Sequence, residues 1–189
     1  MTIRAAKTLL TPEEYLLKER EAEFKSEFRD GQIIAMPGAS RHHCLISGNI
    51  FVELHIQLKD GHCEVYMNDM RVKIPTRGIY TYPDVVVVCD EPLFEDDHFD
   101  NLLNPTVIVE VLSPSTEDYD RNEKFSSYQT IESLQEYILV AQDDVHVEQH
   151  VRKNGKWDLT IFSSLNDLLQ LGSIACQLAI KAIYEKVKL

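Results

Sequence analysis

No stretch of this sequence is both apolar and long enough to cross a bilayer. Its longest apolar runs, such as Val85–Cys89, fall far short of the roughly 20 residues a membrane helix needs. The opening MTIRAAKTLLTPEEYL also lacks the apolar core of a secretory signal, because Pro12-Glu13-Glu14 interrupts it at once. A cytoplasmic location, with no membrane partner, is therefore expected. Cysteine is scarce as well. The 4 cysteines, Cys44, Cys63, Cys89 and Cys176, lie far apart without a C-x-x-C pair. That spacing argues against a zinc cluster and predicts reduced, buried thiols. Internal repeats, low-complexity tracts and Gly/Ser linkers are missing too, so the 189 residues read as one domain (1–189) with its core at about 41–141. Positive charge is in short supply: Lys and Arg number 19 against 31 Asp and Glu, a net charge of −12. Proteins that grip many phosphates usually show a basic face, so this balance weighs against an extended nucleic-acid surface. It leaves room for a local basic groove, since salt screens charge beyond about 10 Å.

What is present is strongly patterned. Thr11 followed by Pro12 and two acids predicts a helix start. Asp30-Gly31 and Asn154-Gly155 each sit between alternating runs and predict hairpins. From His42 to Leu58 the apolar residues recur at helical spacing, closed by Asp60-Gly61. CEVYMN, MRVKIP, YPDVVVVCD, TVIVEVL and EYILVA read as strands, RNEKFSSYQTI as a helix, and AIKAIYEKV as a short terminal helix. Strands before and after a helix predict an α/β (α+β) fold, a mixed central sheet flanked by helices with a hairpin added at each end.

One strand carries a puzzle. Val107–Leu112 is apolar throughout except for Glu110. A carboxylate buried there costs several kcal/mol unless a cation meets it. The preceding strand opens with Tyr82-Pro83-Asp84, and proline suits a first strand residue. If the two strands are neighbours, Asp84 and Glu110 converge at one end. Two close carboxylates repel unless a cation intervenes, and hard oxygen donors with a backbone carbonyl and water suit Mg²⁺.

The segments SEFRDGQIIAMPGAS-RHH, YPDVVVV, VIVEVLSPST and DYDRNEKFSSYQ occur in an order that resembles the PD-(D/E)XK nuclease superfamily, and within it the Uma-type restriction-endonuclease group. The resemblance implies a restriction-endonuclease-like fold and a Mg²⁺- or Mn²⁺-dependent endonuclease, with DNA as the expected partner. It implies Asp84 and Glu110 as metal ligands, joined by the Val111 backbone carbonyl. The superfamily's lysine stands two residues after the second acid, a place held here by Leu112; the resemblance transfers that role to Lys124 on the following helix. Glu27 matches a further acid, and His43 a candidate substrate contact. A homodimer is expected, with Ile174, Leu178 and Ile183 as interface candidates.

Other residues admit plainer readings. Glu110 could pair structurally with Lys124 or Arg121. Arg71 and Lys73, on one strand face with Arg77 beyond, are phosphate-contact candidates or ordinary edge charge. His146, Glu148 and His150 share a strand face as solvated residues. The run Glu91, Glu95, Asp96, Asp97 and Asp100 reads as a solvated loop. The rival to a nuclease is an inactive fold kept as a binding or assembly module.

Overall fold

The computed structural model describes residues 9–189, so the first part of the N-terminal segment weighed as a signal lies outside the described residues. Helix α1 (Pro12–Glu21) starts as its residues dictate: the Thr11 hydroxyl accepts from the Glu14 amide and the Glu14 carboxylate accepts from the Thr11 amide. Strands β1 (Ser26–Arg29) and β2 (Gln32–Ala35) form the expected hairpin. Asp30 and Gly31 both take positive φ, 49° and 74°, as the tight turn requires. Then follow α2 (Arg41–Leu58), β3 (Cys63–Met67), β4 (Arg71–Ile74), β5 (Ile79–Thr81), β6 (Val85–Cys89), β7 (Asn101–Leu102) and β8 (Val107–Leu112). A helical run over residues 117–128, here α3, is π-helical in its middle, Asp120–Lys124. The chain continues through β9 (Glu136–Ala141), β10 (Val147–Lys153), β11 (Lys156–Phe162), β12 (Leu168–Leu171), β13 (Cys176–Ala179) and a helical turn at Ile180–Ile183.

The main sheet is six-stranded and mixed, in the order β11-β10-β9-β8-β6-β3, and a smaller five-stranded sheet runs β2-β1-β5-β4-β7. The fold is thus α+β with helices against a mixed sheet. Strand β8 lies between antiparallel β6 and parallel β9, which pair with both of its edges, and every one of its residues is buried. Val85, Val87, Val107, Val109 and Val111 pack under α2 and the C-terminal segment; Val86, Val88, Ile108 and Leu112 pack with Phe125 and Tyr128 of α3. By strand alternation Glu110 shares the second face with Ile108 and Leu112, so it points toward α3.

Three expectations are corrected here. Cys63 and Cys89 are not free thiols: they stand opposite each other in the β3–β6 register and form a disulfide. The positions are 26 residues apart, and only strand pairing brings them together. Cys44 and Cys176 are free. Ile174, Leu178 and Ile183 are 7%, 1% and 0% exposed and fill the main core, so they present no interface. The acidic run is not simply a solvated loop. Asp96 and Asp100 clamp Arg20 at 2.7 and 2.9 Å, Asp100 also holds Arg71, and Glu95 holds Lys73. Among the described residues no helix is long and apolar enough to cross a membrane.

Candidate active site

The β6–β8 register pairs Val85 with Val109 and so carries Asp84 to the level of Glu110. The Asp84 carboxylate accepts a 2.7 Å hydrogen bond from the Val111 amide, pinning it beside the strand end. From α2, His43 Nε2 lies 3.2 Å from the same Asp84 oxygen. From α3, Lys124 reaches in: its Nζ is 2.8 Å from Glu110, 3.2 Å from Glu27 and 3.4 Å from Asp120. Glu27 arrives from β1 of the smaller sheet. Four elements of the chain, with the segment before β6, therefore meet at one point. Glu27, Asp84, Glu110, Asp120 and Lys124 are all 9% exposed or less.

The charges are strongly perturbed. Burial, reinforced by the charges of Asp120 and Asp84 and opposed by Lys124, raises the Glu110 carboxyl well above the usual carboxylate range. Burial works against the Lys124 ammonium, yet Glu110, Glu27, Tyr128 and Asp120 outweigh it and raise its pKa, so it is a cation at neutral pH. At His43 burial is likewise outweighed, by the hydrogen bond and charge of Asp84, and the ring's pKa rises.

Three partners escaped the sequence reading as site residues. Asp120 and Tyr128 flank Lys124 on α3, and Thr81 lies at the end of β5. The Tyr128 hydroxyl donates to Glu110 at 3.1 Å and contacts the Thr81 hydroxyl at 2.7 Å. The spacing D-x-x-x-K-x-x-x-Y held the signal, because residues four apart share a helix face. A fourth is Arg29, two residues beyond Glu27 on β1. Its guanidinium lies 4.0 Å from the Tyr119 ring. Its Nη1 is buried without a hydrogen-bond partner among the described residues, Glu123 standing off at 3.8 Å.

The remaining candidates sit elsewhere. Arg121 pairs with Glu117 and Glu148, not with Glu110. Glu148 also lies 3.0 Å from His146 and 3.8 Å from His150, so the strand trio gathers around one carboxylate that Arg121 neutralises. Arg71 is 3% exposed, lies near the Tyr82 ring and is paired with Asp100; Lys73 is held by Glu95. Both are thus held by acids of the 91–100 segment, which gives them a structural role. Arg71→Met should accordingly destabilise the fold, since a buried partner is lost. Denaturant melts of the variant check this.

The profile of the Uma2 family, described as "Putative restriction endonuclease", matches residues 12–181. The chain belongs to the Uma2 family. Two Synechocystis sp. (strain PCC 6803) proteins are similar to it. "Uncharacterized protein sll1609" is 41% identical over 162 residues, 85% of this chain and 91% of that one. "Uncharacterized protein slr1290" is 39% identical over 176 residues, 93% and 91% respectively. A crystal structure described as a putative nuclease belonging to DUF820, from Anabaena variabilis, superimposes with a TM-score of 0.79 at 19% identity. It covers 95% of this chain and 99% of that one, which shows a shared fold. The segments that carry the acids and the lysine thus lie inside the Uma2 match.

Proposed function

We propose that the protein is a divalent-metal-dependent endonuclease that hydrolyses phosphodiester bonds of DNA. The observation that carries the reading is the convergence of buried acids: Glu110, Glu27 and Asp120 lie within 3.4 Å of the Lys124 ammonium, and Asp84, held by His43, stands at the level of Glu110 on the neighbouring strand. Burial and the neighbouring acids raise the pKa of the Glu110 carboxyl, and a divalent ion placed among them would favour its ionised form. The Uma2 description and the nuclease-like neighbour support the same direction. The donor set is all oxygen, which fits Mg²⁺ or Mn²⁺ and not a soft metal. Asp84 and Glu110 would hold the ion with the Val111 carbonyl, and Glu27 would add negative charge to the site. Such an ion supplies an activated water and offsets charge on the phosphate oxygens.

The chain's own groups do the rest. Tyr128 fixes the Glu110 carboxylate, itself oriented by Thr81. Lys124, 2.8 Å from Glu110, would stabilise the developing phosphorane charge and orient the attacking water. His43 holds Asp84. Arg29, its guanidinium over the Tyr119 ring and two residues from Glu27, would supply a phosphate contact beside Arg71 and Lys73. Arg29→Ala should weaken duplex binding uniformly across sequences and lower the slope of log K against log salt by about 1. Anisotropy titrations in EDTA at several salt concentrations give that slope, and an unchanged value would remove Arg29 from the substrate surface.

Metal binding itself is tested by calorimetry with Mn²⁺. The wild type should bind and gain thermal stability by mass action, and Asp84→Ala should bind far more weakly. Equal, negligible heats from both proteins would remove the metal site.

A further inference from the structure

A second cluster of ligand-type side chains lies at the other end of β6. Cys63 on β3 and Cys89 on β6 are direct cross-strand partners, and the His62 ring precedes Cys63. The two sulfurs and a His62 ring nitrogen all lie within 4.8 Å of one another. The carboxylate of Asp90 is 3.9 Å from His62 Nε2. Cys63 also borders a surface hollow of about 370 Å³ lined by His55, Lys59 and Tyr66, so the group is reachable from solvent. The five residue steps from Asp84 to Cys89 span about 16 Å, which separates this cluster from the carboxylate site.

Its chemistry is the opposite of that site's. Two thiolates and an imidazole form a soft donor set of the kind that selects zinc over magnesium. Bonds of about 2.3 Å to sulfur and 2.0 Å to nitrogen in a tetrahedron place ligand atoms about 3.4–3.8 Å apart. The imidazole nitrogen lies within 4.8 Å of both sulfurs. The two cysteines face each other across the strands with Cα atoms 4.0 Å apart, and rotation about their side-chain bonds separates the sulfurs once the bond between them is cut. We propose that the reduced Cys63–Cys89 pair and His62 form a second, zinc-class metal site whose occupation and the disulfide exclude each other.

The conversion balances with a dithiol reductant. Two electrons and two protons pass to the Cys63–Cys89 bond, the reductant closes its own disulfide, and metal coordination then releases the two thiol protons. A fourth position stays open to water, with Asp90 beside His62 to offset the ion's charge. The site requires the spatial pairing of β3 with β6, which is why cysteine spacing alone gives no sign of it.

Co²⁺, the spectroscopic stand-in for Zn²⁺, tests this directly. Wild-type protein kept reduced with a phosphine should develop thiolate-to-cobalt charge-transfer absorption, saturating near one equivalent and abolished by added Zn²⁺. The oxidised protein should give no such band. The Cys63→Ser/Cys89→Ser double variant should give none either, and His62→Ala should bind at least tenfold more weakly. Glu110→Gln should keep the band, because carboxylate-bound cobalt lacks thiolate absorption; this separates the inference from the nuclease reading. Thermal melts of each protein confirm that it is folded. Absence of the band in reduced wild type, or its persistence in the double serine variant, would overturn the proposal.

Discussion

Lys124→Met should be the most damaging single substitution in the molecule. The methionine fills much the same volume, but Glu110, Glu27 and Asp120 lose the ammonium that lies 2.8, 3.2 and 3.4 Å from them. Removing one partner of a buried pair costs about 3–5 kcal/mol, and here several acids face each other afterwards. The loss should depend on pH with a definite sign. Glu110 already has a folded pKa raised by burial, and Lys124 is the group that holds it down. A carboxyl raised above its unfolded value, about 4.3, contributes stability in full below that value and loses it as pH rises through the folded pKa. The variant's deficit should therefore widen from pH 5 to pH 8. Mn²⁺ should restore part of the stability by supplying the missing positive charge, while cleavage stays absent. Denaturant melts across that range, with and without Mn²⁺, give the answer. A deficit that shrinks as pH rises would show that the acids are not what Lys124 compensates.

Glu110→Gln should separate catalysis from stability. The amide keeps the size of the side chain and can still accept from Tyr128 and Lys124. Lys124 retains Glu27 and Asp120, so it is not stranded, and one member of an over-acidic cluster is neutralised. Stability should stay within about 1 kcal/mol of wild type, well below the cost of breaking an isolated buried pair. Cleavage should fall at least about 10³-fold, because a charged ligand worth several kcal/mol of transition-state stabilisation is gone. Melts in EDTA beside a metal-supported cleavage assay supply both readouts. A loss of 3–5 kcal/mol would identify Glu110 as chiefly the structural partner of Lys124.

Much of the fold is legible from local chemistry. Thr11-Pro12 capping, the Asp30-Gly31 and Asn154-Gly155 turns and the valine-rich runs each depend on neighbours in the chain, and each becomes the element it predicts. Strand β5 is three residues long and pairs with β1 and β4; β7 is two residues long and pairs with β4. The β12–β13 hairpin is likewise held by the core it covers. No periodicity over so few residues could announce them.

The site divides the same way. Asp84 and Glu110 stand out because an acid in an apolar strand is costly wherever it lies. The pairing of Arg71 with Asp100, 29 positions away, is invisible to strand alternation. Arg29 is a similar case. It passes for a neighbour of Glu27 until the fold lays Tyr119 beneath it and leaves one of its donors without an acceptor. Cys63 and Cys89 need the whole β3–β6 register before they mean anything.

The most direct measurement is cleavage of supercoiled plasmid by the purified protein in Mg²⁺, in Mn²⁺ and in EDTA, with Glu110→Gln alongside. Nicked and linear products in metal, none in EDTA and none from the variant are the predicted result. Intact plasmid under every condition, from wild-type protein that melts cooperatively and binds the metal, would contradict a DNA endonuclease and leave the fold to a binding or assembly role.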